Sequence, residues 1–161
     1  MKCLSVVRAG IALVFLASFG IIPAGASPYD PHADPQADIR HALVEAHSEH
    51  KDVLVVFGAD WCADCRVLDH ALRAPAAAEL QKRFVVVQVD VGAFDHNLGF
   101  ARQYGIDLRR GIPAAALLSG DDRLVYATQA GELADARRMG VAAIVGFLTR
   151  AADRGAVSGP R

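Results

Sequence analysis

Cys62 and Cys65 stand three positions apart in Gly58-Ala59-Asp60-Trp61-Cys62-Ala63-Asp64-Cys65, between an apolar run and a helix-forming stretch from Arg66 to Leu72. At such a strand–helix junction the first thiol meets unpaired backbone N–H groups and the positive end of the helix dipole, which favour an anion. The thiolate is the nucleophilic form, so Cys62 is placed to attack. Cys65 lies one turn further in, more sheltered and close enough to resolve a mixed disulfide. A bridge that closes two residues adds little as a staple, because loop-closure stabilisation grows with loop length. The pair therefore reads as dithiol–disulfide chemistry.

The flanking elements must hold that pair. Asp38 is a good N-cap, and Ile39, Ala42, Leu43 and Ala46 follow as one apolar stripe of a first helix. Val53 to Phe57 is a continuous apolar run, the pattern of a strand covered on both faces. Pro75 interrupts the helix after the cysteines, and a second strand is expected from Phe84 to Val89. A loop from Asp90 to Asn97 and a short helix from Leu98 to Tyr104 come next. Ala114 to Leu118 and Arg123 to Thr128 flank Ser119-Gly120-Asp121-Asp122 and form a hairpin. Val141, Ile144, Val145 and Leu148 mark a closing helix. This order predicts an α/β domain over residues 38–154: a mixed sheet, helices on both faces, and the two strands before the hairpin as its central parallel pair. Residues 27–37 read as a flexible surface lead-in, and residues 155–161 as a frayed tail.

Residues 1–26 have another character. Lys2 and Arg8 precede an apolar run from Ala9 to Ile22, and Ala24-Gly25-Ala26 is a small-x-small cleavage pattern. The run is shorter than the roughly 20 residues of a membrane span. It reads as a secretory signal cut after Ala26, with a retained anchor as the alternative. Cutting it removes Cys3 and leaves Cys62 and Cys65 as the mature chain's cysteines. The destination is periplasmic or secreted, an oxidising setting. In the whole chain, 161 residues at net charge −1 with 7% aromatics give neither a basic footprint nor stacking platforms for nucleic acid.

Taken together, FGADWCADC and the later Gly111-Ile112-Pro113 resemble the thioredoxin superfamily from about Val53 to the final helix. More narrowly, ADWC resembles the C-terminal thioredoxin domain of DsbD-type thiol reductases and small secreted thioredoxin-family proteins. The resemblance implies a thioredoxin fold carrying an extra N-terminal helix. It implies that Cys62 attacks, Cys65 resolves, and the two form the redox disulfide. It also implies a cis Pro113 packed against the pair, and an Ile112 that offers backbone groups to a substrate peptide by β-pairing. No cofactor is required. Substrates would be disulfide-containing proteins, and in an oxidising compartment a membrane thiol-reductase donor would re-reduce the pair.

Departures from the family pattern leave alternatives open. Val56 stands where thioredoxins carry a buried acid, six residues before the nucleophile. Asp69, four residues after Cys65, either assists Cys65 as an acid or forms an i, i+4 surface pair with Arg73. Asp64 either disfavours the Cys62 thiolate, with Arg66 offsetting part of this, or is a solvated helix-start acid. The first option favours a reductase or isomerase-like potential over that of a strong oxidant. Trp61 is either a partly exposed ring touching substrate or part of the core. Arg109 and Arg110 either steer acidic substrates or are solvated surface. Copper or zinc handling is the alternative function, but the six histidines complete no four-ligand spacing with the cysteines, so no metal residue is assigned. A third reading is a binding module with an inert local disulfide.

Overall fold

The computed structural model describes residues 27–158. The signal-segment reading for residues 1–26 lies outside them. Helix α1 (Pro35–Glu49) is followed by β1 (Asp52–Gly58), α2 (Ala63–Arg73), a 3-10 turn at Pro75–Ala77 and α3 (Ala78–Arg83). Then come β2 (Phe84–Asp90), α4 (Leu98–Gln103), β3 (Ala114–Leu118), β4 (Leu124–Ala127), α5 (Ala136–Met139) and α6 (Val141–Ser158). The sheet order is β2-β1-β3-β4, with β1 parallel to β2 and antiparallel to β3, and β3 antiparallel to β4. Helices flank this mixed sheet.

Val53 to Phe57 of β1 are all buried, as an apolar run shielded on both faces must be. The expected central parallel pair needs correction. β2 is parallel to β1 but lies at the sheet edge, and the central pair is β1 with β3. The reason is legible in side chains: Val86 is exposed and Gln88 partly so, whereas Ala114 to Leu118 are buried throughout.

The first helix also starts earlier than Asp38. Asp34 is its N-cap, and Asp34 Oδ1 accepts the N–H groups of Gln36 and Ala37 at 3.0 and 3.1 Å, with Pro35 leading the first turn. Proline suits that position because its missing N–H is unpaired there in any case. Ile39, Ala42 and Ala46 face inward as the stripe required. At the other end, α6 runs to Ser158, so it includes the first residues of the expected tail, and residues 159–161 lie outside the described residues. Its Ile144 and Leu148 are buried.

The lead-in is not wholly a surface segment either. Tyr29 is 1% exposed and belongs to the core. Gly58 makes this possible: a Cβ there would lie 2.6 Å from the Tyr29 hydroxyl oxygen, so the ring fills the space that a side chain at position 58 would take.

Candidate functional site

β1 delivers the chain at Gly58, Ala59-Asp60-Trp61 turn it, and Cys62 caps α2 from an extended conformation (φ −78°, ψ 112°). The Cys65 N–H donates to Cys62 Sγ at 3.1 Å, and the Cys62 N–H to the Ala59 carbonyl at 3.1 Å. This first-turn N–H aimed at sulfur is the contact that the capping position predicts for an anion. Cys62 and Cys65 are joined as a disulfide with Cα atoms 5.2 Å apart. Cys62 is 5% exposed and Cys65 is fully buried on the inner face of α2.

Opposite the pair stands Ile112-Pro113, whose peptide bond is cis. The Ile112 carbonyl oxygen lies 3.6 Å from Cys62 Sγ, so the loop that leads into β3 comes to the redox pair across 50 positions of sequence. Gly111 turns the chain into this loop at φ 114°, a conformation side chains resist. A Cβ there would also press on Ala134.

Trp61 is 57% exposed, so the core-packing alternative for it fails. Its Nε1 donates to the Gly92 carbonyl at 2.8 Å, and its ring meets Phe94 edge-on at 5.8 Å. The β2–α4 loop thus holds the indole at the surface beside Cys62.

Asp64 is no solvated acid. Its carboxylate accepts the backbone N–H of Arg137 at 2.9 Å and the Arg137 Nε at 3.1 Å. Burial pushes its ionisation up, but these hydrogen bonds and the guanidinium charge outweigh it and hold Asp64 below the usual carboxylate range. The charge between the cysteines is therefore answered from α5. Arg66 instead donates to the Asp60 carbonyl at 2.6 Å.

The Asp69 carboxylate is clasped by Arg73, whose Nε lies 3.0 Å from both oxygens, and it accepts Gln88 Nε2 from β2 at 2.7 Å. The i, i+4 pair is thus present, and it is tied to the sheet edge as well. Arg109 is engaged in the same way, forked onto Asp107 at 2.9 Å.

These features coincide with what is found among known proteins. A family model described as thioredoxin-like matches residues 34–120. The chain belongs to the thioredoxin-like family. The crystal structure of a disulphide isomerase from Xylella fastidiosa is 43% identical, covers 79% of this chain and 98% of that chain, and superposes with a TM-score of 0.73. DsbH oxidoreductase matches at 20% identity over 71% of this chain and 81% of that chain, TM-score 0.52, a likeness of fold alone. The oxidised C-terminal domain of DsbD from Neisseria meningitidis matches at 24% identity over 60% and 84% of the respective chains, TM-score 0.47.

Within this thioredoxin-like frame, sequence reasoning missed several residues. Arg137 and Phe94 carry no local signal, since each reaches the redox loop through a distant loop or helix. Tyr29 had an indirect one, a glycine ending a strand of bulky residues, which marks a close approach. A groove of about 910 Å³ lies beside the site, lined by Phe94, Leu98, Ile106, Leu108, Arg109 and Gly111. It touches both the Trp61 support and the residue that leads into the cis-proline. Among the described residues no group of three or more His, Cys, Asp or Glu side chains is gathered to hold a metal. Nor is any described helix long and apolar enough to cross a membrane.

Proposed function

We propose that this protein is an exported thiol–disulfide oxidoreductase of the protein-disulfide reductase type. The carrying observation is the Cys62–Cys65 pair at the start of α2, with Cys62 Sγ receiving a first-turn N–H and facing the carbonyl of Ile112 beside cis Pro113. In the reduced protein the Cys62 thiolate attacks a substrate disulfide, expelling one substrate thiolate and forming a mixed disulfide. The Cys65 thiolate then attacks Cys62 Sγ, releasing the second substrate thiol and closing the Cys62–Cys65 bond. Two electrons pass to the substrate, and a dithiol donor must return them; a membrane thiol reductase suits an exported chain.

Trp61, Ile112 and Pro113 form the substrate-contacting rim, and the adjoining groove receives the peptide. Asp69 assists Cys65 from one turn further along α2. Residues 1–26 act as a signal removed near Ala26, the catalytic domain includes the segment that carries Tyr29 as well as α1 to α6, and the destination is periplasmic or secreted.

Equilibration of the purified protein against glutathione and dithiol buffers tests the reading. A two-electron couple well below about −200 mV supports a reductase, and one near −120 mV makes it an oxidant. The Xylella fastidiosa relative favours a second reading, disulfide isomerisation. Recovery of activity from a scrambled disulfide protein without added reductant separates the two.

A further inference from the structure

Tyr29 belongs to no step described so far, yet it lies behind the redox loop. Its ring sits against Gly58, at the end of the strand that leads into Cys62. Ser27 Oγ is hydrogen-bonded both to the Asp60 carboxylate and to the Tyr29 backbone, so the segment 27–29 is fastened to the residue two places before Cys62.

The hydroxyl is the unusual part. Among the described residues, Tyr29 Oη is the one buried side-chain polar atom without a hydrogen-bond partner. A buried donor left unmade is costly, and phenylalanine would fill the same space without that cost. Three carboxylates bear on its ionisation: Asp60 from the loop, Asp69 from α2, which is itself paired with Arg73, and Asp90 from the end of β2. Burial first, then Asp69, Asp60 and Asp90, push the ionisation of Tyr29 well above its ordinary value. The group is held as a neutral O–H donor. Asp69 lies one helical turn after Cys65, and Gly58, against which the ring and its hydroxyl sit, is four residues before Cys62.

We propose that Tyr29 is a positioning residue of the redox centre, its ring replacing the side chain that Gly58 lacks and its hydroxyl a donor reserved for the anionic, reduced state of the pair. The disulfide form has no charge for it to meet. Opening the Cys62–Cys65 bond with two electrons creates thiolate charge at the start of α2, and a neutral donor set among carboxylates offsets their repulsion of that charge. The inference rests on the oxidoreductase reading and names the residue that tunes it.

The test compares wild type with Tyr29→Phe, which keeps the ring, by equilibrating each with glutathione buffers from pH 6 to 9. The expected result is a variant that is harder to reduce, by a few-fold to about tenfold in the equilibrium constant, up to about 30 mV. The gap should open as pH rises through thiol ionisation, because the donor acts on the thiolate and scarcely on the thiol. A role in packing alone would leave Tyr29→Phe superimposable on wild type at every pH, and that result overturns the inference. A wild-type pair that does not cycle at all overturns the oxidoreductase reading and this inference with it. For the ring, Tyr29→Ala should loosen the Asp60–Cys62 loop and raise the alkylation rate of reduced Cys65. The double variant Tyr29→Ala with Gly58→Phe should restore slow alkylation, and an unchanged rate in Tyr29→Ala counts against the ring's role.

Discussion

Between the two cysteines, Asp64 accepts hydrogen bonds from the backbone and guanidinium of Arg137, 73 residues away. That pairing sets the sign of two expectations. The folded-state ionisation of Asp64 is lowered, so its stabilising contribution is complete above its ordinary value of 3.8 and is lost as pH falls through the folded value. Arg137→Ala should therefore cost about 1 kcal/mol at pH 7, and the deficit should shrink below about pH 4. Chemical denaturation at pH 7 and pH 3 measures it. The same substitution leaves a negative charge unanswered beside Cys62, so the couple should become less oxidising, readable in glutathione buffers. For Asp69, the pH–rate profile of mixed-disulfide resolution in Asp69→Asn is the decisive reading. The proposed assistance to Cys65 predicts a displaced profile, and an unchanged one reduces Asp69 to its clasp with Arg73 and Gln88. The cysteine pair was legible from residue types and spacing, the place of Pro113 came from the family resemblance, and Trp61 stayed open between surface and core until its exposure was known. Arg137 was not, because a partner brought in by tertiary folding leaves no periodic trace near Asp64.

Among the elements, α1 and β1 show how local signals and packing divide the work. Both Asp34 and Asp38 are sound N-cap residues, and the apolar stripe begins after either. Pro35 decides between them by pre-setting the first turn, so Asp34→Ala should cost about 1 kcal/mol and Asp38→Ala much less. Thermal unfolding of the two variants separates the alternatives. At the end of β1, Gly58→Ala would drive a methyl group into Tyr29 and should cost about 1–3 kcal/mol, as overpacking does. Shortening Tyr29 to Ala should relieve that clash, giving a measurable coupling in a double-mutant cycle. The strand type of β2 was readable, but its edge place was not. Sheet order is set by which strands find β1, and β3 reaches it only after the loop at Gly111 to Pro113 turns the chain back.

At the scale of the whole molecule, one core spans the sheet and its covering helices, from Tyr29 to Ala152. The redox bond closes only two residues, so opening it should cost at most about 2 kcal/mol by loop closure. The dithiol form should remain folded, with an unfolding midpoint a few degrees lower in reductant; loss of cooperative unfolding on reduction would contradict this. The order of strands and helices made the fold class legible, because alternation followed by a hairpin admits few sheets. The role of residues 27–29 was hidden, since a short polar lead-in buries a residue only where the rest of the chain leaves a hole for it. The exposed indole has one more consequence. Trp61 is the chain's single tryptophan, it adjoins Cys62, and it already meets solvent in the native state. Its emission is thus an intrinsic gauge of the redox loop: peak intensity should follow disulfide opening and peptide docking, while the peak wavelength hardly moves on denaturation. Unfolding of this protein is better followed by far-ultraviolet circular dichroism, leaving fluorescence to report on the redox loop.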